Sequence, residues 1–210
     1  MTVLPMFPLE HPLLPGEPLH LNVFEPRYRA LVRDVLSGDG DFGVVLIARG
    51  SEVGGGDERH DIGTVTRIVG HRQRASGQIE LACRGIDRLR VIRWLDDDPY
   101  PRAQVEPWPD AELPAGQAWT HVRGPFLSIL AEIQGLYDDL AVRRGRPSTT
   151  LGAPESLPAT DYTFLTAANL PLGAADRYAA LCAAGPAERL DVLVRALDDV
   201  QPLLQDRLQT

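Results

Sequence analysis

No lysine occurs anywhere in the 210 residues, so all 21 basic side chains are arginine. A phosphate-binding loop of the Walker type places a lysine ammonium on the β- and γ-phosphates, and a Ser–Lys peptidase dyad needs a lysine amine. Neither can be built from this sequence. Cysteine is nearly absent too: Cys83 and Cys182 lie far apart and match no CxxC or zinc-ligand spacing. Free thiols fit a reducing compartment. No run approaches the roughly 18 apolar residues of a membrane span, and the start MTVLPMFPLE lacks a basic stretch followed by an apolar core. The expectation is a cytoplasmic protein with no membrane partner.

Other catalytic patterns are missing as well. The histidines (His11, His20, His60, His71, His121) show no H-E-x-x-H spacing, and no G-x-S-x-G elbow is present. His60 beside Asp61, with Glu58 nearby, is better read as a polar loop than a metal site, since structural sites want four ligands. Cys83 shares an alternating face with Ile79 and Leu81, which makes it a small core residue rather than a nucleophile. The glycine run 54–56 is followed by Asp57 and Glu58 instead of Lys-Ser/Thr, so it reads as a flexible loop. The expected inventory is no catalytic residue, no metal and no cofactor, hence no enzyme.

A net charge of −8 opposes phosphate binding, because counterion release needs cations. Between Gly63 and Arg93, however, seven arginines face only Glu80 and Asp87, a local excess of five positive charges. A solvated sheet face is the preferred reading. A small-ligand or RNA platform around Arg72, Arg74, Arg88 and Arg90 is the alternative, and nucleic acid is disfavoured by the acidic total and the scarcity of neighbouring aromatics.

Periodicity divides the chain. Short strand-like runs at Val3–Phe7 and Leu19–Phe24 flank the turn-rich 11–16 segment. Pro26 opens a helix whose stripe is Tyr28, Leu31, Val32, Val35 and Leu36, ended by Ser37-Gly38. Phe42–Ala48 reads as a buried strand. A hairpin is expected from Ile62–Arg74 and Gln78–Arg84, turning at Ser76-Gly77, then strands at Arg88–Leu95 and Arg102–Glu106. From about Leu113 the pattern becomes helical, with a kink or fresh start at Gly124-Pro125 and a stripe from Phe126 to Leu140. Three further helices follow, near 161–169, 174–183 and 187–208. The last carries the stripe Leu190, Val194, Leu197, Val200 and Leu204, and Pro202 is expected to bend it. Strands segregated from helices give an α+β fold: a β-rich subdomain over 1–110 with one helix, then a helical subdomain over 111–210, with 145–158 a mobile loop.

The segment Leu4-Pro5-Met6-Phe7-Pro8-Leu9, followed by Pro15-Gly16 and by Phe24-Glu25-Pro26-Arg27-Tyr28-Arg29, resembles the opening of the Lon protease N-terminal, substrate-binding domain. Phe42-Gly43-Val44-Val45-Leu46, Ile62-Gly63-Thr64-Val65, Gly85-Ile86-Asp87-Arg88-Leu89-Arg90-Val91 and Ala168-Asn169-Leu170-Pro171-Leu172 are similar to later stretches of that family. Asn22 and the acidic run Asp96-Asp97-Asp98 depart from its pattern. The resemblance spans essentially the whole chain, in the form of a free-standing copy without ATPase or peptidase. It implies a PUA-like β pseudo-barrel followed by an α-helical bundle. It also implies a non-enzymatic module that recognises unfolded polypeptide or serves as an adaptor for proteolysis, with a polypeptide substrate, a partner protein or a protease as partner.

Expected ligand contacts are Leu13 and Leu14 in the proline turn, and Trp94, Tyr100 and Trp108 near the junction of the two halves. Such aromatics more often serve as packing. Arg27 and Arg29 offer polar contacts for a carboxylate. Local structure accounts for their neighbours: Pro26 starts the helix, Tyr28 belongs to its stripe, and Glu25 complements its dipole.

Overall fold

The computed structural model describes residues 2–52, 56–113 and 115–209. Two compact units divide it, Met1–Pro109 and Asp110–Thr210. The described residues form six strands and six helices, an α+β fold.

In the first unit the strands are β1 (Thr2–Leu9), β2 (Pro18–Val23), β3 (Asp41–Arg49), β4 (Glu58–Gln73), β5 (Ile79–Leu95) and β6 (Arg102–Pro107), with helix α1 (Pro26–Leu36) between β2 and β3. β1 runs parallel to β3; all other pairs are antiparallel. The pairings β1–β3–β4–β5–β6–β1 close a ring, which removes the edges of those five strands over most of their length. The hairpin arm and the following strand, separate in the sequence reading, are one 17-residue strand. β5 is long enough to serve two neighbours on one side. Its first part, Ile79–Arg84, pairs with β2, and its second part, Leu89–Leu95, pairs with β6. Gly85 stands at the changeover, where an added Cβ would sit 2.5 Å from the Leu14 carbonyl oxygen. Only a residue without a side chain lets the proline turn approach the strand that closely.

Alternation explains the core. Leu21 and Val23 of β2 and Ile79, Leu81 and Cys83 of β5 point inward onto Tyr28, Leu31, Val32 and Val35 of α1. Leu36 leaves the expected stripe and is exposed. A second cluster of Met6, Val45, Leu89, Val91, Ala103 and Val105 fills the other part of the barrel. Thr64, fully buried, donates its hydroxyl to the Leu13 carbonyl at 2.6 Å and ties the proline turn down.

The second unit holds α2 (Trp119–Val122), α3 (Gly124–Arg143), α4 (Ala159–Asn169), α5 (Ala174–Cys182) and α6 (Pro186–Gln209). Pro125 lies in the first turn of α3, so Gly124-Pro125 marks a fresh start. α6 packs against α3, α4 and α5, and runs on through Pro202. Its buried face is Arg189, Leu190, Leu193, Ala196, Leu197 and Leu204, rotated from the expected stripe, with Val194 and Val200 only half-buried. The rotation follows from Arg189. Its guanidinium is fully buried, reaches Asp110 at 2.6 and 3.0 Å and Thr163 Oγ1 at 2.8 Å, and lies 3.5 Å over the Phe164 ring.

The 145–158 segment, read as a mobile loop, has no helix or strand but several anchors. Leu151 is buried, its N–H donating to Gln134 at 2.9 Å, and the Ala153 N–H donates to Thr166. No helix is long and apolar enough to cross a membrane among the described residues.

Candidate functional site

Among the described residues several stretches of backbone have a strand on one side only, among them the end of β4 beyond Arg67, which pairs with β5 but no longer with β3. β2 uses one edge for β5, and no described strand pairs with its other edge. β1 pairs with β6 only from Thr2 to Pro5, then with β3 from Met6 to Leu9, so one side of Phe7–Leu9 also lacks a strand. Pro8 of β1 and Pro18 of β2 fit this placement, since a proline cannot donate to a ladder.

Between the β2 and β1 stretches lies a cavity of about 250 Å³. Phe7, Leu9 and Tyr28 form its floor, Leu21, Val23 and Phe24 one wall, and the polar His20, Asn22, Glu25 and Glu52 complete the lining. The floor is rigid: the Phe7 and Tyr28 rings stack at 4.2 Å with 22° between planes, and the Arg27 guanidinium covers Tyr28 at 4.5 Å. Burial, opposed by the nearby Arg27 charge, pushes the Tyr28 hydroxyl up to about 12. Arg27 is itself held, donating to Glu25 Oε2 at 3.2 Å and to the Glu52 carbonyl at 3.4 Å. The Glu52 carboxylate accepts the Glu10 N–H at 2.7 Å, which fixes the start of the glycine loop beside the cavity. Residues 53–55 of that loop lie outside the described residues.

Phe24 is the anomaly. It is 58% exposed, a large aromatic at the rim of a cavity of mixed lining. The cavity is below the roughly 300–1,000 Å³ of small-molecule sites, but one apolar side chain would suit it.

The expected contacts fall elsewhere. Leu13, Leu14 and Tyr100 are buried core residues. Tyr100 donates to Asp34 Oδ2 at 2.6 Å, and burial followed by that bond pushes its hydroxyl up to about 12. Trp94 is half-buried, donating its indole N–H to Asp61 at 3.1 Å, with Arg59 5.0 Å over its ring. Trp108 follows β6 at the other end of the β5–β6 ladder, where Leu89 registers with Pro107; Arg88 and Arg90 stack on it at 4.2 and 4.8 Å. These residues therefore do not converge on one site. Arg27 borders the cavity, whereas Arg29 faces a neighbouring one.

Part of the arginine-bearing sheet face is engaged. Arg67 pairs with Asp41 and Arg74 with Glu80, while Arg84 donates to the Gly16 carbonyl at 3.2 Å. Arg88, expected on a solvated face, is 3% exposed because Trp108 folds over it. Asp97 of the acidic run pairs with Arg59 at 2.8 Å. Cys83 is buried, which pushes its thiol up to about 11. Among the described residues no group of three or more His, Cys, Asp or Glu can hold a metal.

The cavity itself was legible in one signal. In β2 the inward phase is Leu19, Leu21, Val23 and the outward phase His20, Asn22; Phe24 continues the outward, polar phase with an aromatic ring.

A family model described as the ATP-dependent protease La (LON) substrate-binding domain matches residues 3–199. The chain belongs to the Lon substrate-binding domain family. A crystal structure of a Lon N-terminal domain protein from Xanthomonas campestris superposes with a TM-score of 0.64 and 30% identity, covering 93% of this chain and 98% of that one. The N-terminal domain of the Mycobacterium avium complex Lon protease, with a TM-score of 0.60 and 16% identity over 94% of this chain and 99% of that one, shares the fold. Lon protease 2 of Myxococcus xanthus is 33% identical over 106 residues, and the Lon protease of Anaeromyxobacter dehalogenans 30% over 107. Each match spans 50% of this chain but 13% of the relative's own length. The matched region is the substrate-binding domain, with no catalytic domain among the matches.

Proposed function

We propose that this substrate-binding module holds an extended, unfolded segment of polypeptide along the open edge of β2, without chemistry of its own. Backbone pairing to a sheet edge supplies affinity, and a pocket for alternate side chains supplies selection. The observation that carries this reading is the unpaired β2 edge beside a cavity floored by Phe7, Leu9 and Tyr28, with Phe24 exposed at its rim. An apolar residue of the client enters the cavity between Phe24 and the Phe7–Tyr28 stack, and its neighbours pair with β2. Lacking lysine, these residues can neither spend ATP through a Walker loop nor cut through a Ser–Lys dyad. The client is held for a protease activity supplied outside these residues, and the module acts as an adaptor for proteolysis in the cytoplasm.

A labelled unfolded model protein, titrated by fluorescence anisotropy, is expected to bind saturably at tens of micromolar. Phe24→Ser is expected to weaken it about tenfold, the effect of losing roughly 1.5 kcal/mol of apolar contact. Absence of saturable binding, or indifference to Phe24→Ser, overturns the reading.

A further inference from the structure

Helix α1 carries three arginines in two different situations. Arg27 is engaged by Glu25 and by the Glu52 carbonyl. Arg29 and Arg33, four residues apart and therefore one turn apart on the exposed face, make no ion pair or side-chain hydrogen bond among the described residues. Both border a cavity of about 270 Å³ completed by Pro26, by Gln73 at the end of β4 and by Ile79 at the start of β5. Arg29 leans on the β4–β5 turn: a Cβ at Gly77 would lie 3.4 Å from its Nη2. The neighbouring acids are already engaged. Asp34 accepts from Tyr100, Glu80 from Arg74 and Asp41 from Arg67. In a chain of net charge −8, two like charges one turn apart and uncompensated repel each other until an anion sits between them.

We propose that Arg29 and Arg33 form an anion subsite for a carboxylate on the polypeptide held at β2, so that the preferred client carries an acidic residue beside its apolar stretch. This rests on the reading of the β2 edge given above. The link is positional: Val23, the last residue of β2, registers with Ile79, and Phe24 to Pro26 lead from the Phe24 cavity to the charged one. Guanidinium forks match carboxylates geometrically. A polyphosphate backbone needs a longer track of free cations; beside the cavity Arg67, Arg74 and Arg84 are already engaged, which leaves Arg72 alone next to Gln73.

Three labelled peptides sharing one apolar core, flanked by serine, glutamate or lysine, test the subsite by anisotropy at low and moderate salt. The glutamate peptide is expected to bind roughly 3–10-fold tighter than the serine peptide, with the advantage shrinking in salt. Arg29→Gln/Arg33→Gln is expected to abolish that advantage while leaving the serine peptide's affinity and the thermal midpoint unchanged, both residues being exposed. A glutamate peptide no better than the serine peptide overturns the subsite while leaving the groove intact, and an advantage that survives the double substitution does the same. A glutamate peptide that depends on the arginines but ignores Phe24→Ser keeps the subsite and removes the groove. If no peptide binds, both fall. A single-stranded oligonucleotide that displaces the glutamate peptide through the same two arginines overturns the carboxylate assignment.

Discussion

The barrel closes a ring of five strands yet leaves the outer edge of β2 and a 58% exposed phenylalanine to solvent, whereas the helical unit buries even a guanidinium against its own carboxylate. The buried guanidinium of the helical unit is paired inward. Arg189 spends its donors on Asp110, Thr163 and the Ala180 carbonyl, and Thr160 donates to the same carboxylate at 2.8 Å. In the barrel, backbone along β2 and side chains on α1 remain unspent. Buried pairs of this kind hold shape, whereas spare edges and exposed cations can hold something else. That contrast supports the proposal that recognition lies in the first unit.

The sharpest way to break the contrast is Arg189→Met. It leaves the Asp110 carboxylate half of a buried pair without its partner, at a cost of about 3–5 kcal/mol. Hydrogen exchange resolved by segment should show protection lost over 110–209 and retained over the barrel, with polypeptide binding by the barrel unchanged. Equal loss of protection in both units would dissolve the division proposed here.

Gly85→Ala attacks the barrel in turn. The new methyl would meet the Leu14 carbonyl at 2.5 Å, so β5 and the proline turn must separate, at about 1–3 kcal/mol. Urea denaturation should report that loss, with the helical unit's protection intact.

Phe24→Ser sharpens the comparison from the other side. Its ring is mostly in solvent, so stability should stay within about 0.5 kcal/mol while polypeptide affinity falls about tenfold. A matching loss of stability would make Phe24 a packing residue instead.

The smallest expected effect is alkaline. An exposed tyrosine ionises near 10, whereas burial holds the Tyr28 hydroxyl neutral to about 12. Between those values the unfolded chain has released a proton that the folded chain keeps. Tyr28 therefore contributes stability that is complete below pH 10 and is lost as pH rises towards 12. The urea midpoint of the barrel should fall over that window, and Tyr28→Phe should flatten the fall.

Much of this was readable from the chain. The α1 stripe Tyr28, Leu31, Val32, Val35 is buried as its 3.6-residue period requires, and the alternation of Ile79, Leu81 and Cys83 sets the inner face of β5. The site was less legible. Leu13 and Leu14 look available in a proline-rich turn, yet Thr64, about 50 positions later, ties that turn to the core. Arg88 looks solvated by alternation until Trp108 covers it. Phe24 carried its own signal, an aromatic on a polar phase, but its meaning depended on which edge of β2 remained open.

By itself the sequence determined what is local or compositional. It settled the periodicities that make strands before residue 110 and helices after it, the family motifs, and the lysine-free chemistry that bars Walker-type and Ser–Lys catalysis. Tertiary structure alone decided which strand edge stayed unpaired, which arginines found carboxylates and which did not. The reason is range: periodicity acts over a few residues, whereas Arg189 and Asp110 stand 79 positions apart, and β2 meets β5 only after the chain has gone around the barrel.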